Sequence, residues 1–354
     1  MHHIDSLLHD GVQAGVFSCT TYSIGTAQGE LLSGHTGTLG MGRGPVGPDT
    51  LFDLASVTKP MVAVAFMKLF EQGLVCLDDT IDQFLPMFRG HPKGKISMHA
   101  LLTHTSTIHG QVQLYRTCHS KAQMLLGVMH MPPRDISTPS VEYSSQGFMI
   151  LGEIVEKLSG MPLDEAMRKW VFAPLGMNDT LFTPQEALHA RIASTENCPW
   201  RGHMVTGEVH DENAVVMGGV CGHAGLFAPA TDVAKLCRAM LSGLTSDGTR
   251  YLMPATLRLM TQNHTKGLNL ARGLGWQCKD PSASPAGDLF SDTSYGHTGF
   301  TGTSLWLDPV RDLYAVLLTN RVHPTRDKEG IVHIRHVFHN LAALYRDGLT
   351  CQQA

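Results

Sequence analysis

The sequence predicts an α/β fold combined with an all-α part: an antiparallel sheet flanked by helices, built from both ends of the chain, with a helical domain inserted between them. Three observations predict it. β-Branched and aromatic runs bounded by turn residues lie near the two ends. Between about residues 76 and 265 the signals are helical pieces separated by Gly and Pro. The chain has 354 residues, 43% hydrophobic and only 16% charged, enough for a large core and long for one ordinary domain. The expected division is a sheet domain over 1–75 and 266–354 and a helical domain over 76–265, with no repeat or linker between them.

Taken in order, Ile4, Leu7, Leu8 and Val12 follow helical spacing and give a short amphipathic helix. Residues 16–24 and 30–35 flank the turn Gly25-Thr26-Ala27-Gln28-Gly29 as a hairpin. The apolar run Leu51-Phe52-Asp53-Leu54-Ala55 leads into a helix over about 56–72, stopped by Gly73. Phe148, Leu151, Ile154, Val155 and Leu158 form one apolar helix face, with Gly160 placed for a left-handed C-cap. Leu163, Ala166, Met167 and Trp170 repeat the pattern up to a turn at Pro174-Leu175-Gly176. Another helix begins near Thr231-Asp232 and carries Val233, Leu236, Cys237 and Met240. Strands over 303–307 and 313–319 flank the loop 308–312 as a second hairpin, and a last helix carries Ile331, Ile334, Phe338, Leu341 and Tyr345.

Charge and composition exclude several function classes. The net charge is −4 and Lys and Arg are scattered, which argues against a nucleic-acid stripe or a polybasic membrane patch. The longest apolar run goes only from Met61 to Met67 before Lys68, far short of a membrane span. Met1-His2-His3-Ile4-Asp5 has neither a basic n-region nor an apolar h-region, so a cytoplasmic location is expected. Cys19, Cys76, Cys118, Cys198, Cys221, Cys237, Cys278 and Cys351 form no C-x-x-C pair and are expected as reduced thiols.

Three short motifs carry chemistry. In Ser56-Val57-Thr58-Lys59, Ser and Lys at i and i+3 share a helix face, so an amine reaches a hydroxyl. At a helix start the Ser56 N–H has no intrahelical partner and can meet a developing oxyanion. Tyr143-Ser144-Ser145 opens the helix carrying Phe148, and a tyrosine beside a lysine is a credible proton shuttle. His297-Thr298-Gly299-Phe300-Thr301-Gly302 is expected on the first strand of the C-terminal hairpin, where glycines allow another backbone or a ligand to approach closely. Taken singly, each has a bland reading as cap, packing residue or turn.

Their order and spacing resemble the serine β-lactamase and penicillin-binding-protein superfamily. The likeness is closest to the class C branch of AmpC-type β-lactamases, D-Ala-D-Ala carboxypeptidases, D-aminopeptidases and family VIII carboxylesterases. It extends to Leu101-Leu102-Thr103-His104-Thr105-Ser106, Leu151-Gly152-Glu153-Ile154-Val155-Glu156, Gly222-His223-Ala224-Gly225-Leu226-Phe227 and Gly273-Leu274-Gly275-Trp276. The resemblance implies a β-lactamase/transpeptidase-like fold with the catalytic cleft between the two domains. It implies Ser56 as acylated nucleophile, Lys59 as its base and Tyr143 as proton relay. The amides of Ser56 and Phe300 would form the oxyanion hole, and Ser145, His297, Thr298 and Gly299 would line the substrate. No metal or cofactor is needed for such an acyl-enzyme.

Two departures bear on the substrate. Related β-lactamases most often have Lys where His297 stands, and a solvent-accessible histidine is largely neutral at pH 7. The second motif usually ends in Asn, where this chain has the shorter Ser145. A His-Thr-Gly motif occurs in some D-Ala-D-Ala carboxypeptidases, and Tyr-x-Ser in related esterases. With no export signal visible, the expectation is a carboxylesterase acting on a small ester or amide. The alternative is a D-Ala-D-Ala carboxypeptidase, D-aminopeptidase or β-lactamase; a non-catalytic penicillin-binding relative is less favoured. His203, His210, Asp211 and His223, with Cys221 nearby, invite a metal reading, but their spacing on Gly-rich loop favours polar packing near the cleft.

Overall fold

A computed structural model describes residues 3–135 and 137–353. Met1 and His2, which open the segment read for an export signal, lie outside the described residues. The elements that position the site are, in chain order, α1 (His3–Gln13), β1 (Cys19–Gly25), β2 (Glu30–Gly37), β3 (Phe52–Asp53), α2 (Thr58–Glu71), α3 (Ser145–Ser159), β4 (Leu181–Phe182), β5 (Leu226–Ala228), α4 (Ala230–Ser242), β6 (Gln277–Cys278), β7 (Tyr295–Thr298), β8 (Ser304–Asp308), β9 (Leu313–Thr319) and α5 (Ile331–Gln353).

A six-stranded antiparallel sheet has the order β2-β1-β9-β8-β7-β6. Its centre joins the two chain ends, with Thr20 opposite Thr319 and Ile24 opposite Ala315. The α/β architecture with an antiparallel sheet and many helices is as the sequence predicts. The run Leu313-Tyr314-Ala315-Val316-Leu317-Leu318 is apolar on both faces because both are covered. Leu313, Ala315 and Leu317 face the layer holding Ile4, Leu8, Ile334 and Phe338 of α1 and α5. Tyr314, Val316 and Leu318 face the main core with Leu236 and Met240, so α4 lies on the opposite face of the sheet.

Most local expectations hold, with informative differences. A 3₁₀ turn over Ala55–Val57 precedes α2, and Gly73 follows it at φ +72°. Ser144 caps α3 by accepting from the Gly147 N–H at 3.0 Å, and Gly160 ends it in the left-handed region. The turn expected at 174–176 is only at Gly176: the chain stays helical to Leu175 through a π-helical turn over Arg168–Phe172. The His297 motif does not lie on the hairpin of β8 and β9 but on β7, an additional strand paired with β8. Its glycine disguises it. A Cβ on Gly296 would stand 2.2 Å from the Leu305 carbonyl oxygen and 2.5 Å from the Trp306 ring, so this buried strand cannot show the usual side-chain alternation. All eight cysteines are free thiols. Among the described residues, no helix is long and apolar enough to cross a membrane.

Candidate active site

The turn between β3 and α2 places Ser56. Ala55, just before it, has φ +48°, a conformation that costs a non-glycine residue energy and has to be held by its surroundings. Asp53 supplies the hold. Its buried carboxylate accepts from the Ala55 N–H at 2.8 Å and from the His210 N–H at 2.6 Å. Burial pushes the Asp53 carboxyl upward, and the two backbone donors oppose that rise.

The segment that carries the His297 motif is pinned to this turn. Thr301 Oγ1 donates to the Asp53 carbonyl at 2.8 Å, and Thr303 Oγ1 to the Leu54 carbonyl at 2.9 Å. A Cβ on Gly299 would stand 2.5 Å from the Leu54 oxygen. Glycine is therefore required for the strand backbone to reach the serine turn. Phe300, next along, lines the same cleft as Ser56, with its ring half-exposed.

Lys59 sits one turn into the helical run and is fully buried. Its Nζ lies 3.0 Å from Ser56 Oγ and 3.0 Å from the His223 carbonyl oxygen. It also stands 4.8 Å from the centroid of the Tyr143 ring. The Tyr143 hydroxyl is buried and has no hydrogen-bond partner among the described residues. Tyr143 packs between the rings of His104 at 4.7 Å and His297 at 5.9 Å. Ser56, Lys59, Tyr143, Ser145, His297, Thr298, Gly299 and Phe300 are thus brought to one cleft, Ser145 from the first turn of α3.

His297 corrects the expectation of a solvent-accessible ring: it is 3% exposed. Burial, with the Lys59 and Arg272 cations adding, pushes its pKa down to about 3, so it is neutral at any ordinary pH. Its Nδ1 lies 2.8 Å from the Thr298 carbonyl and donates to it, which leaves Nε2 unprotonated.

Sequence reasoning missed the cleft's cations. A cavity of about 540 Å³ beside Ser56 is lined by Arg272, Arg321, Lys328 and Arg335. Arg272 is 7% exposed, its Nε has no hydrogen-bond partner among the described residues, and its guanidinium carbon is 6.0 Å from the Tyr143 centroid. Arg335 is already used, donating to the carbonyls of Gly299 and Thr303, and Arg321 lies 4.2 Å over the Phe300 ring. The only sequence signal was an arginine inside the Gly-rich stretch Ala271-Arg272-Gly273-Leu274-Gly275-Trp276. On the other side of Ser56 the lining is Gln111, Gln113, Tyr115, Asp211 and Asn213.

The histidine cluster is not one site. His203 is exposed and pairs with Glu208 at 2.9 Å, and His210 with Glu196 at 2.8 Å. His223 lies 2.9 Å from Asp211 and 3.0 Å from the Cys221 thiol. Glu196, Cys198 and Glu212 converge closely enough to hold a cation, but Arg326 bridges both carboxylates and already supplies the positive charge.

A serine on a strained turn with a buried amine on its hydroxyl is the construction of a serine hydrolase working through an acyl-enzyme. Comparison with known proteins gives the family. The Beta-lactamase family model matches residues 23–337. A protein of Escherichia coli (strain K12) named "Putative D-alanyl-D-alanine carboxypeptidase" is 33% identical over 313 residues, covering 79% of this chain and 71% of the relative. One of the same name from Salmonella agona (strain SL483) is 32% identical over 305 residues, covering 78% and 70%. Among solved structures, EstCE1, a hydrolase with promiscuous acyltransferase activity, aligns with TM-score 0.79 at 21% identity over 96% of this chain and 97% of its own. The octameric penicillin-binding protein homologue from Pyrococcus abyssi aligns with TM-score 0.76 at 20% identity over 97% and 76%. The chain belongs to the Beta-lactamase family and is a serine hydrolase of the class C-like β-lactamase and penicillin-binding-protein superfamily.

Proposed function

We propose that the protein is a serine carboxypeptidase of the D-alanyl-D-alanine type, acting on a small peptide with a free carboxylate. The observation that carries this reading is Arg272, a buried guanidinium with no carboxylate partner among the described residues, lining the cleft beside Tyr143. An unpaired buried cation is costly, and a substrate carboxylate would offset that cost on binding. His297 cannot supply that charge, since it stays neutral. The names of the curated relatives favour the same reading. The expectation of an ester substrate rests on the missing motif lysine, on Ser145 in place of Asn and on the expected cytoplasmic location. Arg272 answers the first, and the last says nothing about the cleft.

In this reading Lys59 Nζ takes the Ser56 proton as Oγ attacks the scissile carbonyl. The negative charge on that oxygen falls to the amides of Ser56 and Phe300. The Tyr143 hydroxyl passes a proton to the departing amine, and water then hydrolyses the Ser56 ester by the reverse route. The test is one purified sample assayed for D-alanine release from an N-acyl-D-Ala-D-Ala peptide, and for hydrolysis of p-nitrophenyl butyrate and nitrocefin. The expected result is D-alanine release as the fastest reaction, abolished in Ser56→Ala. Ester cleavage without D-alanine release would return the reading to a carboxylesterase, and dominant nitrocefin hydrolysis would make it a β-lactamase.

A further inference from the structure

The segment Gly222-His223-Ala224-Gly225 carries no role so far except through one carbonyl. Its side-chain contacts are specific. The His223 imidazole is 1% exposed, with Nε2 2.9 Å from Asp211 Oδ1 and Nδ1 3.0 Å from Cys221 Sγ. The backbone beneath it is equally fixed. Cys221 and Ala224 form a β-bridge, and a Cβ on Gly222 would stand 2.1 Å from the Phe148 carbonyl of α3. Beyond the loop, β5 ties back to the serine turn through Leu54 N–H to the Leu226 carbonyl at 2.8 Å. The same loop presents the His223 carbonyl to Lys59 Nζ at 3.0 Å.

This geometry matters because a neutral lysine amine has two hydrogens and one lone pair. If one N–H donates to the His223 oxygen, the lone pair is left free to accept from the Ser56 hydroxyl 3.0 Å away. The direction of that carbonyl therefore sets the direction of the base. We infer that His223 is a positioning residue, and that the clamp of its imidazole between Asp211 and Cys221 holds the 223 carbonyl so that Lys59 faces Ser56. The inference rests on the reading of Ser56 as nucleophile and Lys59 as its base. Burial opposes a charge on His223, but its neighbours Cys221 and Asp211 outweigh it and push its pKa up to about 10. Asp211 in turn is held well below the usual carboxylate range, against burial, by His223, the Ala214 N–H and Lys59. Both partners thus favour the hydrogen-bonded, clamped state.

The test is the rate of Ser56 labelling by a fluorophosphonate, followed by mass spectrometry in wild type, His223→Leu and His223→Gln. This readout needs no knowledge of the substrate. Glutamine can still donate to Asp211, whereas leucine cannot. The expected result is labelling slowed about 10- to 100-fold by leucine and largely restored by glutamine. The acid limb of the labelling-rate profile should also shift in the leucine variant. The groups around Lys59 that share that profile are Ser56, Tyr143, His104, Asp211, His223, Arg272 and His297. If His223→Leu does not fold, Cys221→Ala opens one side of the clamp with little loss of packing and should slow labelling in the same way. A folded variant labelled at the wild-type rate with an unmoved profile would overturn the inference. Failure of wild type to label at Ser56 would instead overturn the nucleophile assignment beneath it.

Discussion

The Tyr143 hydroxyl is buried beside Lys59, whose Nζ lies 4.8 Å from the centre of its ring, and it has no hydrogen-bond partner among the described residues. An unpaired buried hydroxyl costs stability, so its presence here has to be explained by what it does. In the proposed reaction the phenolic oxygen would pass a proton between Lys59 and the leaving group.

Tyr143→Phe therefore separates function from stability. Removing a hydroxyl that bonds nothing should leave the melting temperature unchanged or slightly raised. The turnover number should fall by about 10²–10⁴, the usual worth of a general acid–base group. Thermal unfolding and steady-state kinetics on the same preparation check both halves.

Arg272→Met tests the carboxylate anchor. Loss of a charge-assisted contact predicts KM for a D-Ala-D-Ala peptide about 10- to 100-fold higher. The neutral ester p-nitrophenyl butyrate should be hydrolysed as before. Equal losses on both substrates would assign Arg272 to packing around Tyr143 instead.

Phe300 acts in the proposed mechanism through its backbone, while its half-exposed ring lies under Arg321. Phe300→Ala should keep activity within a few-fold. Phe300→Pro, which deletes the N–H, should lower kcat by about 10²–10³, as loss of an oxyanion donor does. Comparing the two acylation rates decides it.

The buried histidines make stability fall in mild acid. His297 and His339 are pushed down to about 3, chiefly by burial, with nearby cations adding. In the unfolded chain each regains its ordinary value of 6.5. Between those values the unfolded state binds more protons, so their contribution is complete above about 6.5 and is lost as pH falls. Each contributes up to about 1.4 kcal/mol per pH unit. Urea unfolding at pH 7 and pH 5 should show the loss, and His339→Gln should reduce it. The rate profile should carry no limb from His297 between pH 5 and 8.

Much of this was legible in the residues. Helix starts and stops at Ser144, Gly73 and Gly160 follow from local backbone chemistry, which acts over a few residues. Ser56 and Lys59 share a helix face whatever the rest of the chain does. Strand β7 was misread because Gly296 makes room for Trp306, a residue that meets it only across the sheet. His297 was expected in solvent for the same reason: nothing within its own strand shows that Tyr143 and Arg272 close over it.

By itself the sequence determined the fold class, the placing of Ser56 and Lys59 on one helix face and the superfamily, since each depends on local periodicity or on motif order along the chain. Tertiary structure decided the electrostatics of the cleft. Arg272 stands far from Ser56 in sequence and lines the same cavity in space, His203, His210 and His223 separate into three different pairs, and the His223 loop reaches Lys59 only when packed on α3. Desolvation and charge pairing depend on distances that only the folded chain sets.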